Sequence, residues 1–222
     1  MAGVLLQQKI IEMTPAEKDQ DHLRVICYTN PQIPDRTRSL REDGGEAYVA
    51  GIAESIKVLE RAGAELVIIP CNTSHARFET IASNAAIPVL NMIDATFNKA
   101  RSFGVERIGL LATDGAVALG VFENDATVSV VLPEEHEQRE VMDIIYGIKA
   151  GKYNDAETFE KIRALAGRLR ARGAQKVVLG CTELSLYSSW FPDGEIIDPL
   201  AELAREAVRV AINFPSAVLA VL

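Results

Sequence analysis

An α/β fold of two pseudo-symmetric lobes, each a mostly parallel sheet flanked by helices, is what this sequence predicts. Three observations predict it. Short apolar segments alternate with amphipathic helical ones along the chain, which is the pattern of a parallel sheet covered on both faces. The segment Gly63–Thr73 (GAELVIIPCNT) is echoed by Gly173–Thr182 (GAQKVVLGCT), so that Cys71 and Cys181 occupy matching places half a chain apart. The 222 residues also suffice for two lobes of about 100 residues each.

The elements follow in order. Residues 1–13 place Val4, Leu5, Ile10 and Ile11 at helical spacing, and Thr14-Pro15 ends that helix. Leu23–Thr29 reads as a buried strand with Cys27 in the core. Asn30–Arg36, punctuated by Pro31 and Pro34, reads as a loop. Glu46–Ala62 is an amphipathic helix closed by Gly63 as its C′ residue. The strand Leu66–Pro70 follows, then strands at Val89–Met92, Arg107–Ala112, Thr127–Leu132 and Lys176–Leu179, with helices between them. The basic run Lys161–Arg172 shares its period with Ile162, Leu165 and Leu169 and reads as a solvated helix face. Trp190 reads as a packing anchor in a loop, and Asp198-Pro199 opens the last helix. Lobe one is expected at 1–94 with the helix 200–213 packed on it, and lobe two at 95–199. An apolar, strand-like tail remains at 214–222.

Composition narrows the function. With 23 Lys+Arg against 31 Asp+Glu the net charge is −8, which argues against nucleic acid or an anionic membrane as partner. No apolar run reaches the roughly 20 residues of a membrane span, and the polar turn after Val4 does not read as a secretory leader. Three cysteines are too few and too odd for a disulfide framework and suit a reducing compartment; a cytoplasmic location is expected. The glycines lack a G-x-G-x-x-G pattern, and neither Cys71 nor Cys181 has the C-x-x-C or Cys/His spacing of a zinc or redox site.

Each of the two cysteines is expected at the C-terminal end of a strand, where open α/β sheets bind ligands. A helix starting there would favour the thiolate. Two thiols facing each other across a lobe interface suit stereoinversion of a carbon acid, one removing a proton and the other delivering one to the opposite face. The bland alternative is a pair of small buried packing residues.

Pro70-Cys71-Asn72-Thr73-Ser74-His75 and Gly180-Cys181-Thr182-Glu183 resemble the paired signatures of the aspartate/glutamate racemase family, which works without pyridoxal phosphate. Lys18–His22, Asn30–Thr37, Leu111–Gly115 and Ile148–Gly151 resemble its aspartate racemase branch, and Glu183 stands where the glutamate branch carries His. The resemblance implies cofactor-independent interconversion of L- and D-aspartate in a cleft between the lobes. Cys71 and Cys181 would be the catalytic groups. Asn72, Thr73, Thr113 and Thr182 would bind the α-carboxylate and ammonium, Arg36 and Lys149 the carboxylates, with Glu183 near the ammonium. It implies no cofactor or metal, an amino acid as the small-molecule partner, and a homodimer. His75 is expected to cap or pack, and His22 and His136 to lie at the surface.

The chain departs from the family pattern at its start. Members open with a strand and a Gly-Gly-x-Gly-Pro turn, and this sequence opens with the helix that follows. A misassigned start, an inactive truncated relative and a replacement strand are the competing explanations, and residues 215–222 are the candidate replacement. Two other readings accompany the racemase: an inactive amino-acid-binding or interaction protein, and a related hydantoin, maleate or malonate isomerase or decarboxylase.

Overall fold

The structure, a computed structural model, describes residues 1–123, 125–213 and 218–222. Its strands are β1 (Arg24–Cys27), β2 (Leu66–Ile68), β3 (Val89–Leu90), β4 (Arg107–Ala112), β5 (Ser129–Val131), β6 (Lys176–Gly180), β7 (Ile196–Ile197) and β8 (Val218–Val221). Its α-helices are α1 (Ala2–Met13), α2 (Arg36–Asp43), α3 (Glu46–Arg61), α4 (Phe78–Ser83), α5 (Met92–Ser102), α6 (Asp114–Ala118), α7 (Glu135–Lys149), α8 (Asp155–Ala171) and α9 (Pro199–Ile212). Among the described residues the strands form two four-stranded parallel sheets, ordered β1-β8-β2-β3 and β5-β4-β6-β7. The predicted two-lobe α/β class is therefore the observed one. The chain divides into two compact units, Met1–Met92 with Leu200–Leu222, and Ile93–Pro199.

In the first unit, alternation along the strands decides which helices cover which face. Leu66 and Ile68 of β2 and Leu219 and Val221 of β8 pack with Leu6 and Ile10 of α1 and with Leu203, Ala207 and Val208 of α9. Val67, Ile69 and Ala220 point the other way, onto Tyr48, Ile52, Ile56 and Leu59 of α3. The predicted tail strand is thus a core strand. β8 runs parallel between β1 and β2, with Val218–Val221 all buried, and Tyr28 N–H and Leu222 N–H extend its pairing to either side. Phe214–Ala217 of the expected tail lie outside the described residues.

The second unit repeats the plan. Leu111, Val177 and Leu179 of its sheet pack beneath α7 and α8 through Ile145, Ile148, Ile162, Leu165 and Leu169. The echo seen in the sequence is a repeated helix ending. Gly63 and Gly173 take left-handed φ of 88° and 95°. Ala64 and Ala174 N–H reach back to the Leu59 and Leu169 carbonyls at 3.0 and 3.1 Å. Both helices therefore close with the same glycine-dependent motif before entering β2 and β6.

Three expectations need correction. Cys27 is exposed, because β1 is an edge strand, paired with β8 along one side, and its two end residues are exposed. His22 is half-buried, whereas His136 is exposed. Trp190 ends a 3-10 helix (Leu184–Trp190) and leans on Phe159 and Tyr187 with centroids 5.3 and 5.7 Å away, though 46% of it stays exposed. Among the described residues, no helix is long and apolar enough to cross a membrane.

Candidate active site

Each unit gathers one cysteine and several predicted site residues at the C-terminal end of the third strand in its sheet order. In the first unit β2 runs out through Ile69-Pro70 into Cys71, which is half-buried and extended (φ −153°, ψ 106°), and a 3-10 helix, Asn72–Arg77, begins. Asn72, Thr73, Ser74 and His75 are all buried. Among the described residues neither polar atom of the Asn72 side-chain amide has a hydrogen-bond partner, although the residue is only 2% exposed. Leaving both atoms of a buried amide unmade costs on the order of 1–3 kcal/mol each, which makes Asn72 the most conspicuous polar group beside Cys71.

Arg36 is the first residue of α2, not a loop residue. Asp35 caps that helix by accepting from Arg38 N–H at 2.9 Å, and the half-buried Arg36 reaches the Pro34 carbonyl at 3.4 Å. α2 (RTRSLRED) carries almost no apolar periodicity, so sequence patterning passed over it. Tyr48 and Arg77 are the additional residues here. Tyr48 is fully buried and donates to the Ser74 carbonyl at 3.4 Å. Burial, and then the charge of a Cys71 thiolate, push the Tyr48 phenol pKa up, while Arg77 and Arg36 pull it down. These four side chains therefore share one electrostatic neighbourhood. In the sequence Tyr48 reads only as a core position of an amphipathic helix.

In the second unit β6 ends at Gly180, and Cys181 follows, buried in the core cluster under α8. Its thiol donates to Glu183 Oε2 at 3.0 Å, and the Thr182 hydroxyl lies 3.4 Å from the same oxygen. Burial first, then the Glu183 charge and hydrogen bond, push the Cys181 pKa well up, with Lys149 opposing. The sequence expectation of a helix-favoured thiolate is overturned here. The helix after Cys181 is a short 3-10 segment, and burial, then the neighbouring carboxylate, sets the direction of the shift. Lys149 is the last residue of α7 and exposed, its Nζ 5.4 Å from the Tyr146 ring centre. Thr113 is buried at the end of β4, where Ala112 pairs with Gly180, and its hydroxyl oxygen caps α6 from Ala116 N–H at 3.3 Å. Gln138 supports the same strand end by donating to the Ala112 carbonyl at 3.0 Å and to Asp114 at 2.8 Å. Among the described residues no group of three or more His, Cys, Asp or Glu is placed to hold a metal ion.

The structure thus brings Arg36, Cys71, Asn72 and Thr73 into one cluster and Thr113, Lys149, Cys181, Thr182 and Glu183 into another. Comparison with known proteins bears on what such clusters do. The family model described as Asp/Glu/Hydantoin racemase matches residues 1–207. The chain is 30% identical to an aspartate racemase structure from Picrophilus torridus, with a TM-score of 0.79 over 95% of this chain and 89% of that one. It is 25% identical to an aspartate racemase homologue from Pyrococcus horikoshii OT3, with a TM-score of 0.74 over 95% and 94%. Among curated proteins it is 23% identical to the broad specificity amino-acid racemase RacX of Bacillus subtilis (strain 168), over 90% of this chain and 87% of that one.

Proposed function

The chain belongs to the Asp/Glu/hydantoin racemase family, and from that premise we propose that it interconverts L- and D-aspartate without a cofactor, using Cys71 and Cys181 as the two acid/base groups. One observation carries the reading. The two cysteines follow the C-terminal ends of equivalent strands, β2 and β6, third in the order of two matching parallel sheets.

Cys181 is held as a thiol by burial and by its bond to Glu183, so it is the proton donor when the half-buried Cys71, as thiolate, removes the α-proton. The electron pair left on the α-carbon then takes the Cys181 proton on the other face, and the configuration inverts with no net change in atoms. In the reverse direction Glu183 is already in line to accept the Cys181 proton, and Lys149 steadies the thiolate that results. Asn72, Thr73, Thr113 and Thr182 would bind the α-carboxylate and ammonium, and Arg36 would grip a carboxylate with its planar fork. The unpartnered Asn72 amide supports a polar ligand at that point. Aspartate is favoured by Glu183 at the position where the glutamate branch carries His and by the likeness to the Picrophilus enzyme. The likeness to RacX favours broader amino-acid specificity as the second reading. We propose a cytoplasmic homodimer as the working form.

The test is α-proton exchange in D₂O with L- and D-aspartate, glutamate and a panel of other amino acids, alongside Cys71→Ser and Cys181→Ser. Deuterium at Cα with appearance of the enantiomer, lost in either variant, is the expected result. Exchange with many amino acids selects the broad reading. Binding of aspartate without exchange of any substrate overturns the racemase.

A further inference from the structure

His75 is a buried titratable group beside Cys71 that this chemistry leaves unused. It lies four residues beyond Cys71 and is 8% exposed, stacked on Phe78 with ring centroids 5.4 Å apart. Its Nδ1 is 2.9 Å from the Cys71 carbonyl, and its Nε2 receives Met92 N–H at 3.1 Å. A carbonyl only accepts and an N–H only donates, so these two partners select one tautomer. Nδ1 carries the proton and Nε2 the lone pair. The ring thereby spans from the Cys71 backbone to the start of α5, immediately after β3.

The second unit has a counterpart at the same spacing. Ser185, four residues beyond Cys181, donates to Asp198 Oδ1 at 2.6 Å, both residues being buried. Asp198 follows β7 and precedes α9, as Asn91 follows β3 and precedes α5. Different chemistry thus makes the same tie, from the cysteine's turn to the mouth of the next strand.

We propose that His75 is a positioning residue that fixes the Cys71 turn against the β3–α5 junction, with Ser185–Asp198 doing the same for Cys181. The inference rests on the two-thiol reading for its catalytic consequence, whereas the tie itself is independent of it. A neutral imidazole suits the role, since a rigid ring with one donor and one acceptor locks both ends. Burial drives its pKa down to about 4, partly opposed by the Cys71 and Leu90 carbonyls. Protonation would put a proton on Nε2 and expel the Met92 N–H.

Three substitutions separate the bonds. An Asn amide nitrogen sits as many bonds from Cα as His Nδ1, and a Gln amide oxygen as many as Nε2. His75→Asn therefore keeps the reach to Cys71, His75→Gln keeps the reach to Met92, and His75→Phe keeps only the ring. In full-length protein, His75→Phe is expected to lower kcat for aspartate by 10- to 100-fold, the scale of a displacement of about 1 Å, with KM nearly unchanged. Maleimide labelling of Cys71 should accelerate while that of Cys181 does not. His75→Asn and His75→Gln should fall between, and they carry the test if the Phe variant fails to fold. Ser185→Ala should accelerate labelling of Cys181 alone. ¹⁵N NMR of wild type should show Nδ1 protonated and Nε2 unprotonated from pH 8 to pH 6. A protonated Nε2, or all three His75 variants matching wild type in Cys71 labelling and kcat, overturns the inference. Wild type that exchanges no α-proton, with His75-dependent Cys71 labelling, refutes the racemase and leaves the tie standing.

Discussion

The two units share a parallel sheet plan but assemble it from different parts of the chain. The second sheet, β5-β4-β6-β7, comes from one continuous stretch, whereas the first, β1-β8-β2-β3, takes its second strand from residues 218–221. Register makes the equivalence explicit. Val67 pairs with Ala220 just as its counterpart Val177 pairs with Gly109, so β8 stands in the first unit where β4 stands in the second. A core position in a parallel sheet is thus filled by whichever apolar strand completes it, because unpaired backbone between β1 and β2 would be the costlier state. The comparison teaches that the sheet plan, more than chain order, places each cysteine.

The harshest way to break the equivalence is to remove the inserted strand. Deleting residues 218–222 should abolish cooperative folding of the first unit, seen as rapid amide exchange throughout α3 and α9 and a lost thermal transition. Unchanged protection there would show that β8 is dispensable. A gentler version compares Leu219→Ala with Ile108→Ala, the position that matches it by register. Both are fully buried, and each should cost about 2–5 kcal/mol in chemical denaturation. A Leu219→Ala cost below about 1 kcal/mol would mean β8 is bound far more loosely than β4.

The units also differ in what acid does to them. His75 has its pKa lowered from 6.5 to about 4 by burial. The unfolded chain therefore binds the proton more readily, and stability is lost as pH falls from about 6.5 towards 4, by up to ~3 kcal/mol. In the second unit Glu137 is buried and bonded to Arg172, which together with Arg168 holds its pKa near 2 against 4.5. Its contribution is present above about 4.5 and is lost only as pH falls towards 2. Hydrogen exchange followed from pH 7 to pH 4 should show α3 and β2 loosening before α7 and α8. His75→Asn should erase that early phase; equal loosening of both units would refute the assignment.

How much of this was legible beforehand depends on what kind of force acts at each place. The strands and long helices were readable because burial imprints a period on the sequence, as in Val67, Ile68 and Ile69 or Ile162, Leu165 and Leu169. The matched cysteines were readable because a repeat keeps its glycine-capped helix end, with Gly63 and Gly173 in left-handed geometry. α2 was not, since its stability comes from the Asp35 cap and from ion pairs such as Arg38–Glu42 rather than an apolar stripe. Cys27 was misplaced because an apolar strand says nothing of whether it lies at a sheet edge. Tyr48, Arg77 and the Cys181–Glu183 bond were invisible because they depend on which side chains converge in space.

Close approach separates the units again at a smaller scale. A methyl added to Gly109 would lie 2.8 Å from Leu169 Cβ and 3.1 Å from Ala174 Cβ, because α8 crosses directly over β4. Its counterpart Ala220 already carries that methyl beneath α3. Gly109→Ala should therefore cost about 1–3 kcal/mol by overpacking, read from the denaturation midpoint. A neutral result would mean that α8 shifts freely on its sheet.

The smallest effect expected concerns the thiols themselves. Burial is the first cause of the raised Cys181 pKa and the Glu183 carboxylate only the second, through its charge and through accepting the thiol proton. Glu183→Gln removes the charge and leaves the burial, so it should recover part of the lost reactivity and no more. Peptide-resolved iodoacetamide labelling at pH 8 should show Cys181 reacting a few-fold faster in Glu183→Gln, and more slowly in Lys149→Met, where the opposing positive charge is gone. Cys71, in the other cluster, should serve as the internal reference in both variants. If neutralising Glu183 leaves Cys181 labelling unchanged, burial alone sets that thiol, and Glu183 has no part in holding it as the acid.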